Sequence, residues 1–311
     1  MVFPACIASP RIGSRFKALS ASALTTAFLS LAPMAAQAAD PFRTTNPHDI
    51  GDKTEAVFNA LFRDGNYTEA ETLVGQAIAQ EPEEPMNYAI AAALGYLNND
   101  LDALAKQAQM TQETADALKA TDPLRGHLYT AVGLFMEGAH VLQTQGIARG
   151  TPSALRLLQR VFSELDEAEK IDRDDPELSL LKGFMDLLLA VNLPFANPDQ
   201  AIARLQNGHP DYLTYRGIAI GLRDLGRYSE ALTEVDKALA AAPENPDLLY
   251  LKAQILFLQK QYEASVPLYQ SALSYADQLP VATVQQIAFE ACQAEGGEGE
   301  VCFARSRVTD R

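Results

Sequence analysis

The stretch Gly226-Arg227-Tyr228-Ser229-Glu230-Ala231-Leu232, continued by Ala238-Leu239 and closed by Pro243, returns 34 residues later as Tyr262, Ala272 and Leu273. The same offset pairs Ala219 with Ala253 and Leu222 with Leu256. Apolar residues three and four apart predict two helices, Tyr212 to Leu225 and Tyr228 to Ala241, broken at Gly226-Arg227. Ala219, Ala231 and Ala238 fall where two antiparallel helices must approach closely, while Tyr215, Leu222, Tyr228 and Val235 fill the space between them. A hairpin of this kind cannot bury its own apolar face and has to stack on copies of itself.

Working outward, a second good copy runs through Gly65-Asn66-Tyr67-Thr68-Glu69-Ala70-Glu71, with Ala77-Ile78 and Pro82 in register. The unit at 246–279 carries Ser265 where the other two have Ala231 and Ala70, a small-for-small exchange. Three degraded units lie between. Residues 85–118 keep Tyr88 and Ala92 but turn at Asn98-Asn99-Asp100. Residues 119–175 predict a longer hairpin, Asp122 to Leu142 and Thr151 to Ile171, with a loop over 143–150 and Pro152 at the first helical position. Residues 176–211 have an expanded link from Asn192 to Pro198 and a second helix that stops at Asn207-Gly208. Val281 to Ala294 is expected to cap the last apolar face, with a flexible tail to residue 311.

The motif Gly226 to Leu232 with Ala238-Leu239 and Pro243 resembles the tetratricopeptide repeat, a 34-residue helix-turn-helix. The resemblance covers residues 51–279 and implies an all-α, right-handed superhelical solenoid of about six hairpins. The Gly208-His209-Pro210-Asp211-Tyr212-Leu213 entry and the short C-terminal extension are similar to a family of periplasmic tetratricopeptide-repeat proteins from cyanobacteria, to which no catalytic activity is assigned. The resemblance further implies that the first helix of each hairpin lines a concave groove. By register this places Glu55, Asn59, Phe62 and Arg63 there, with Ala89, Ala93, Tyr96 and Leu97 from the second unit. The later units add Leu180, Phe184, Leu187 and Leu188, then Arg216, Ile220 and Arg223, then Tyr250, Gln254 and Phe257. Phe184, Leu187 and Leu188 are either groove or core, because one residue of register moves them inward. Arg216 and Arg223 either hold an acidic group or are solvated surface. The apolar members suit an extended or helical apolar peptide segment.

Arg11, Arg15 and Lys17 precede an uncharged apolar stretch from Ala18 that ends in small residues, the pattern of a secretory signal peptide with cleavage after Ala38. Its apolar core is too short for the roughly 20 residues that span a bilayer. Residues 39–50 are then a linker, and the product is expected in the periplasm or outside the cell, without membrane insertion. Removing those three cations, with no acid lost, leaves 22 basic against 40 acidic groups, net −18. Such a field repels phosphate backbones and anionic headgroups unless a local basic patch intervenes, and no such patch stands out. Cys292 and Cys302 remain, ten residues apart across a Gly-rich link: either a structural disulfide or two unpaired thiols on a frayed tail.

Chemistry is scarce. His48, His127, His140 and His209 have no second ligand at metal-binding spacing. The acids between Asp166 and Asp175 lack the spacing of a calcium loop. No nucleophile elbow, zincin helix or phosphate loop is present, so no cofactor, metal or enzyme activity is expected. The expected function is a non-catalytic scaffold that takes a protein or peptide in its concave face. The alternatives are a subunit of an envelope or carbohydrate-related complex, or a self-associating structural protein, and the oligomeric state is left open.

Overall fold

A computed structural model describes residues 40–192 and 197–307; the leader expected over residues 1–38 lies outside them. The chain is all-α, with no strand among the described residues. Helices α1 (Asp52–Phe58, continued by a π turn over Asn59–Arg63) and α2 (Tyr67–Gln80) form the first hairpin, and α3 (Pro85–Leu97) and α4 (Leu101–Leu118) the second. The third is α5 (Pro123–Ile171), folded back on itself at Gly146. Then come α6 (Pro176–Asn192) with α7 (Pro198–Leu205), α8 (Asp211–Asp224) with α9 (Tyr228–Ala241), and α10 (Pro246–Leu258) with α11 (Tyr262–Leu273). Helix α12 (Val281–Ala294) covers α11, and α13 (Gly299–Ser306) follows it.

Local chemistry explains the punctuation. Most first helices begin with proline after a capping side chain: Glu84 accepts from the Met86 amide, Asp122 from Arg125 at 3.1 Å, and Asn245 from Asp247 at 2.9 Å. Four hairpins turn through a left-handed residue, and these fall in two pairs 34 residues apart: Gly65 with Asn99, and Gly226 with Lys260. At Gly226 the turn closes with two bonds, from the Gly226 amide to the Arg223 carbonyl and from Arg227 to Leu222. The alanines of the sequence pattern, Ala70, Ala77, Ala219, Ala231 and Ala238, are fully buried between helices. Ser265 takes the same place and satisfies its hydroxyl by donating to the Tyr262 carbonyl at 2.8 Å.

Three segments differ from the sequence expectation. The link expected over 143–150 is a single residue: Gly146, at φ 73° and ψ 164°, is the only break, so Pro152 lies inside a helix rather than at its start. Gly146 can adopt an angle closed to other residues, and a Cβ added at Gly150 would come within 3.0 Å of the Val141 carbonyl oxygen, so glycine there lets the returning arm approach closely and no longer loop is required. Residues 40–50 are a packed strap, not a loose linker. The Asp40 carboxylate accepts from the Phe42 and His48 amides, Arg43 pairs with Asp175, and the buried Phe42 ring meets Phe58 at 5.1 Å. The C-terminal extension is also folded as far as residue 307. A Cys292–Cys302 disulfide ties α13 to α12, with Gly297 wedged against both sulfurs, where a Cβ would not fit.

The stack curves until its ends meet. The Tyr67 amide donates to the Gln278 carbonyl at 2.9 Å, and the Thr68 hydroxyl to Asp277 at 2.8 Å. The Asn245 amide group spans the Phe62 and Arg63 carbonyls, at 3.1 and 3.0 Å. Tyr67 also donates to Asp247 at 2.7 Å, and Arg216 faces the same carboxylate at 3.0 Å.

The left-handed turns give a graded test by urea unfolding. Gly226 has open space around it, so Gly226→Ala is expected to cost only backbone strain, about 1–2 kcal/mol. Gly65→Ala is expected to cost clearly more, because its Cβ would also collide with Asn245 and Pro246 of the sixth hairpin. Equal losses would show that the ends do not meet in solution. Lys260→Gly is expected to stabilise by about 1 kcal/mol, by relieving the same strain. Reduction of the disulfide, which closes a ten-residue loop, is expected to lower stability by about 2–3 kcal/mol.

Candidate functional site

Closure of the stack turns the inner faces of its first helices toward one another. Five of them, together with the strap, enclose a cavity of about 320 Å³: Phe42, Phe62, Ala93, Tyr129, Leu180 and Leu213 stand on its wall. A second cavity of about 500 Å³ continues from it, walled by the first arm of α5 and by α6 and α8. Val132, Met136, Leu181, Phe184 and Ile220 line both, so the two form one apolar groove. Among the described residues its only charged lining residues are Arg216 and Asp224. Gly217 and Gly221 keep α8 thin on this side, since a Cβ at either position would collide with Phe184 or Leu187 of α6.

The residues expected in the groove divide into two groups. Phe62, Phe184 and Arg216 line it, as do Ala89, Ala93, Leu180, Leu187, Leu188 and Ile220. Leu187 is buried and Leu188 is 52% exposed, so the choice between groove and core resolves residue by residue. Asn59, Tyr96, Arg223, Tyr250 and Phe257 do not line either cavity. Tyr250 donates to Glu290 of α12 at 3.0 Å and Gln254 donates to the same carboxylate, because α12 folds over this side of the sixth hairpin, while Phe257 meets Tyr262 of its own hairpin edge-on at 5.2 Å. Arg223 is held by Asp224 and Gln254, and Arg216 by Asp247, so neither guanidinium is left to grip an acidic ligand.

Val132, Phe135 and Met136 on the third hairpin, and Phe42 on the strap, are among the lining residues that the repeat register did not reach. Their spacing of three and four on one helix was the available signal. Among the described residues no cluster of three or more His, Cys, Asp or Glu side chains could hold a metal.

Beneath the groove lies a buried ionic knot. Arg125 is 2% exposed and bonds Glu84 through both terminal nitrogens, at 3.0 and 2.8 Å, and Glu177 through Nε at 3.2 Å. Tyr129, whose ring faces the cavity, donates to Glu177 at 2.5 Å. One guanidinium thus serves two carboxylates, so ionising both would leave a net negative charge inside. Burial pushes Glu177 up to about 7, against the pull of Arg125 and the Tyr129 hydrogen bond. On the neighbouring outer layer burial also raises Glu169, but bonds from Lys182 and Arg204 outweigh it and hold that carboxyl at about 2.

Residues 216–280 match the tetratricopeptide-repeat family model. That span covers most of α8 through α11, the two hairpins with the clearest repeat. The comparison with curated proteins gives no match. Among solved structures the chain is similar to a thermophilic tetratricopeptide-repeat protein of Thermus thermophilus, at 23% identity and TM-score 0.45, over 66% of this chain and 98% of that one. It is similar also to the C-terminal part of a repeat-containing protein of Cytophaga hutchinsonii, at 15% identity and TM-score 0.37, over 80% and 90%. A third is the TPR2AB domain of yeast Sti1 in its pHSP90 complex, at 16% identity and TM-score 0.30, over 82% and 98%.

The knot makes a pH prediction. A carboxyl held above its unfolded value binds its proton more tightly in the folded chain. Its contribution is therefore favourable at low pH and is lost as pH rises from the ordinary carboxylate range through about 7. Glu177→Gln is expected to flatten the stability-versus-pH curve between about pH 5 and 7, whatever its absolute stability, as read by urea unfolding across that range. The loss of stability at lower pH, where Glu169 titrates, should persist in the variant.

Proposed function

We propose that this chain is an exported, non-catalytic scaffold whose concave groove takes an apolar helical segment of a protein partner. The observation that carries it is the composition of the groove wall. Over the length of both cavities it offers apolar side chains, a charged residue already bonded within the fold, and Asp224 at the edge. An extended peptide would bring its own amides and carbonyls into such a wall without partners, at a cost of about 1–3 kcal/mol each. A helix satisfies its backbone internally and presents only side chains. Met86, Met136 and Met185 supply unbranched, polarisable walls that adjust to an irregular partner. The match of residues 216–280 to an interaction-type repeat supports the same conclusion.

Export rests on the sequence pattern of residues 1–38. Cleavage after Ala38 would leave intact Asp40, whose carboxylate organises the strap. The entry at Gly208 to Leu213 and the disulfide-tied extension support kinship with periplasmic repeat proteins of the cyanobacterial type. N-terminal sequencing of the chain recovered from the periplasmic fraction is expected to begin at Ala39 or Asp40. Recovery of the intact N-terminus from the cytoplasm would remove the export proposal.

The groove is tested by capture from the protein's own cell extract. Wild type is compared with Val132→Glu/Ile220→Glu, and with Ala93→Trp, which fills the cavity without adding charge. Both variants are expected to lose at least tenfold of a partner that wild type enriches, while Tyr96→Ala, outside the groove, retains it. Identical enrichment by folded groove variants and wild type would sink the proposal.

A further inference from the structure

Beyond the cationic leader expected over residues 1–38, the whole-chain charge count conceals a second stretch without acids. Residues 138–163 contain no Asp or Glu, yet carry Arg149, Arg156, Arg160 and His140, in a chain of net charge −15. The expectation that no local basic patch exists fails here, because an average over 311 residues hides 26 that lack acids.

These residues form the end of the third hairpin, the one that outgrew the repeat. Its two arms, 123–145 and 147–171, are each about 35 Å long, against about 20 Å for α3 and about 26 Å for α6. The tip therefore projects past its neighbours. Spacings of seven and four put Arg149, Arg156 and Arg160 on one face of the second arm, and all three are exposed. None of them enters an ion pair among the described residues, and Arg156 donates only to the Ser153 hydroxyl, at 2.9 Å. Other arginines from Arg43 to Arg305 are by contrast held by carboxylates, as Arg63, Arg125, Arg204 and Arg227 are.

Beside the arginines runs unprotected apolar surface. Ile147 is 80% exposed at the very tip, and Leu142 and Leu155 are exposed on the two arms. Phe135, Leu142, Leu155 and Leu188 wall a third apolar cavity of about 350 Å³ between the arms and α6. No helix of the described residues is long and apolar enough to cross a membrane, so this surface can lie on a bilayer but not span one.

We propose that the tip of the third hairpin docks on an anionic phospholipid surface, with Arg149, Arg156 and Arg160 among the headgroup phosphates and Ile147 and Leu155 in the interface. Charge complementarity selects this occupant. The rest of the chain is strongly acidic and is repelled by such a surface, so only the tip is attracted, which fixes the orientation of approach. Three solvated arginines spread along about 17 Å of helix suit a field of mobile phosphates better than one fixed carboxylate. The surface is separate from the groove proposed above, and neither proposal depends on the other.

The chain has no tryptophan, so Ile147→Trp in the full-length protein is a single reporter at the tip that is blind to binding by residues 1–39. With vesicles of phosphatidylglycerol and phosphatidylcholine in equal parts, its emission is expected to shift to the blue and become protected from acrylamide. Adding Arg149→Gln/Arg156→Gln/Arg160→Gln is expected to weaken that partitioning by at least about tenfold, and raised salt should do the same. An absence of shift with these vesicles would overturn the proposal. So would an equal shift with phosphatidylcholine alone, which removes the role of charge. A shift produced by soluble polyglutamate but not by vesicles would assign the tip to an acidic protein instead.

Discussion

Everything in the groove depends on the meeting of the first hairpin with the sixth. A repeat stack that touched only its sequential neighbours would be an open spring, its inner face widening and narrowing with small rotations at each interface. Here Asn245 ties the carbonyls of Phe62 and Arg63, and Asp247 receives both Tyr67 and Arg216. The caps of α10 thus do two jobs, starting their own helix and gripping a turn some 180 residues earlier in the chain. The glycine at that turn is required twice over, once by its φ of 65° and once by the proline that presses against it. With the ends fixed, the distance between α5 and α8 across the groove is fixed as well, and a partner meets a preformed wall.

The strap and the ionic knot extend the same constraint inward. Phe42 fills one end of the cavity from a segment outside any hairpin, held by Asp40 and by the pairing of Arg43 with Asp175. Asp175 is itself the cap of α6, donated to by the Leu178 amide at 2.8 Å. Arg125 reaches from the third hairpin to Glu84 at the entrance of the second and Glu177 at the entrance of the fourth. Three successive hairpins are therefore pinned at their starting ends by one guanidinium. Buried ion pairs of this kind add little net stability, but a wrong register would strand a charge, so they favour one stacking over its neighbours.

The sequence carried the fold because the backbone requirement and the packing requirement share one period. Gly65 and Asn99, and Gly226 and Lys260, mark the left-handed turns 34 residues apart. The alanines mark the close approaches at the same interval. What was not legible had lost the period. The third hairpin reverses at one glycine rather than over an eight-residue loop, and a lone glycine inside a long polar stretch gives no turn signature. Without its register Val132 and Met136 could not be placed, though they stand at the middle of the groove. Tyr250 and Gln254, which the register assigns to the groove, lie instead against α12. Nothing in their own repeat indicated that α12 would fold over them and supply Glu290 to both.

That carboxylate has a consequence for how the chain can be used. Glu290 receives hydrogen bonds from Tyr250, Gln254, Tyr269 and Gln286, four donors drawn from three helices. A repeat stack normally ends on a surface that would welcome one more copy, and in a concentrated compartment that surface invites filaments. Here the terminal surface has been spent on a polar contact that another hairpin, built from alanine and leucine, could not reproduce. The inner side of the sixth hairpin is therefore covered from within the chain, and the donors there already have their acceptor.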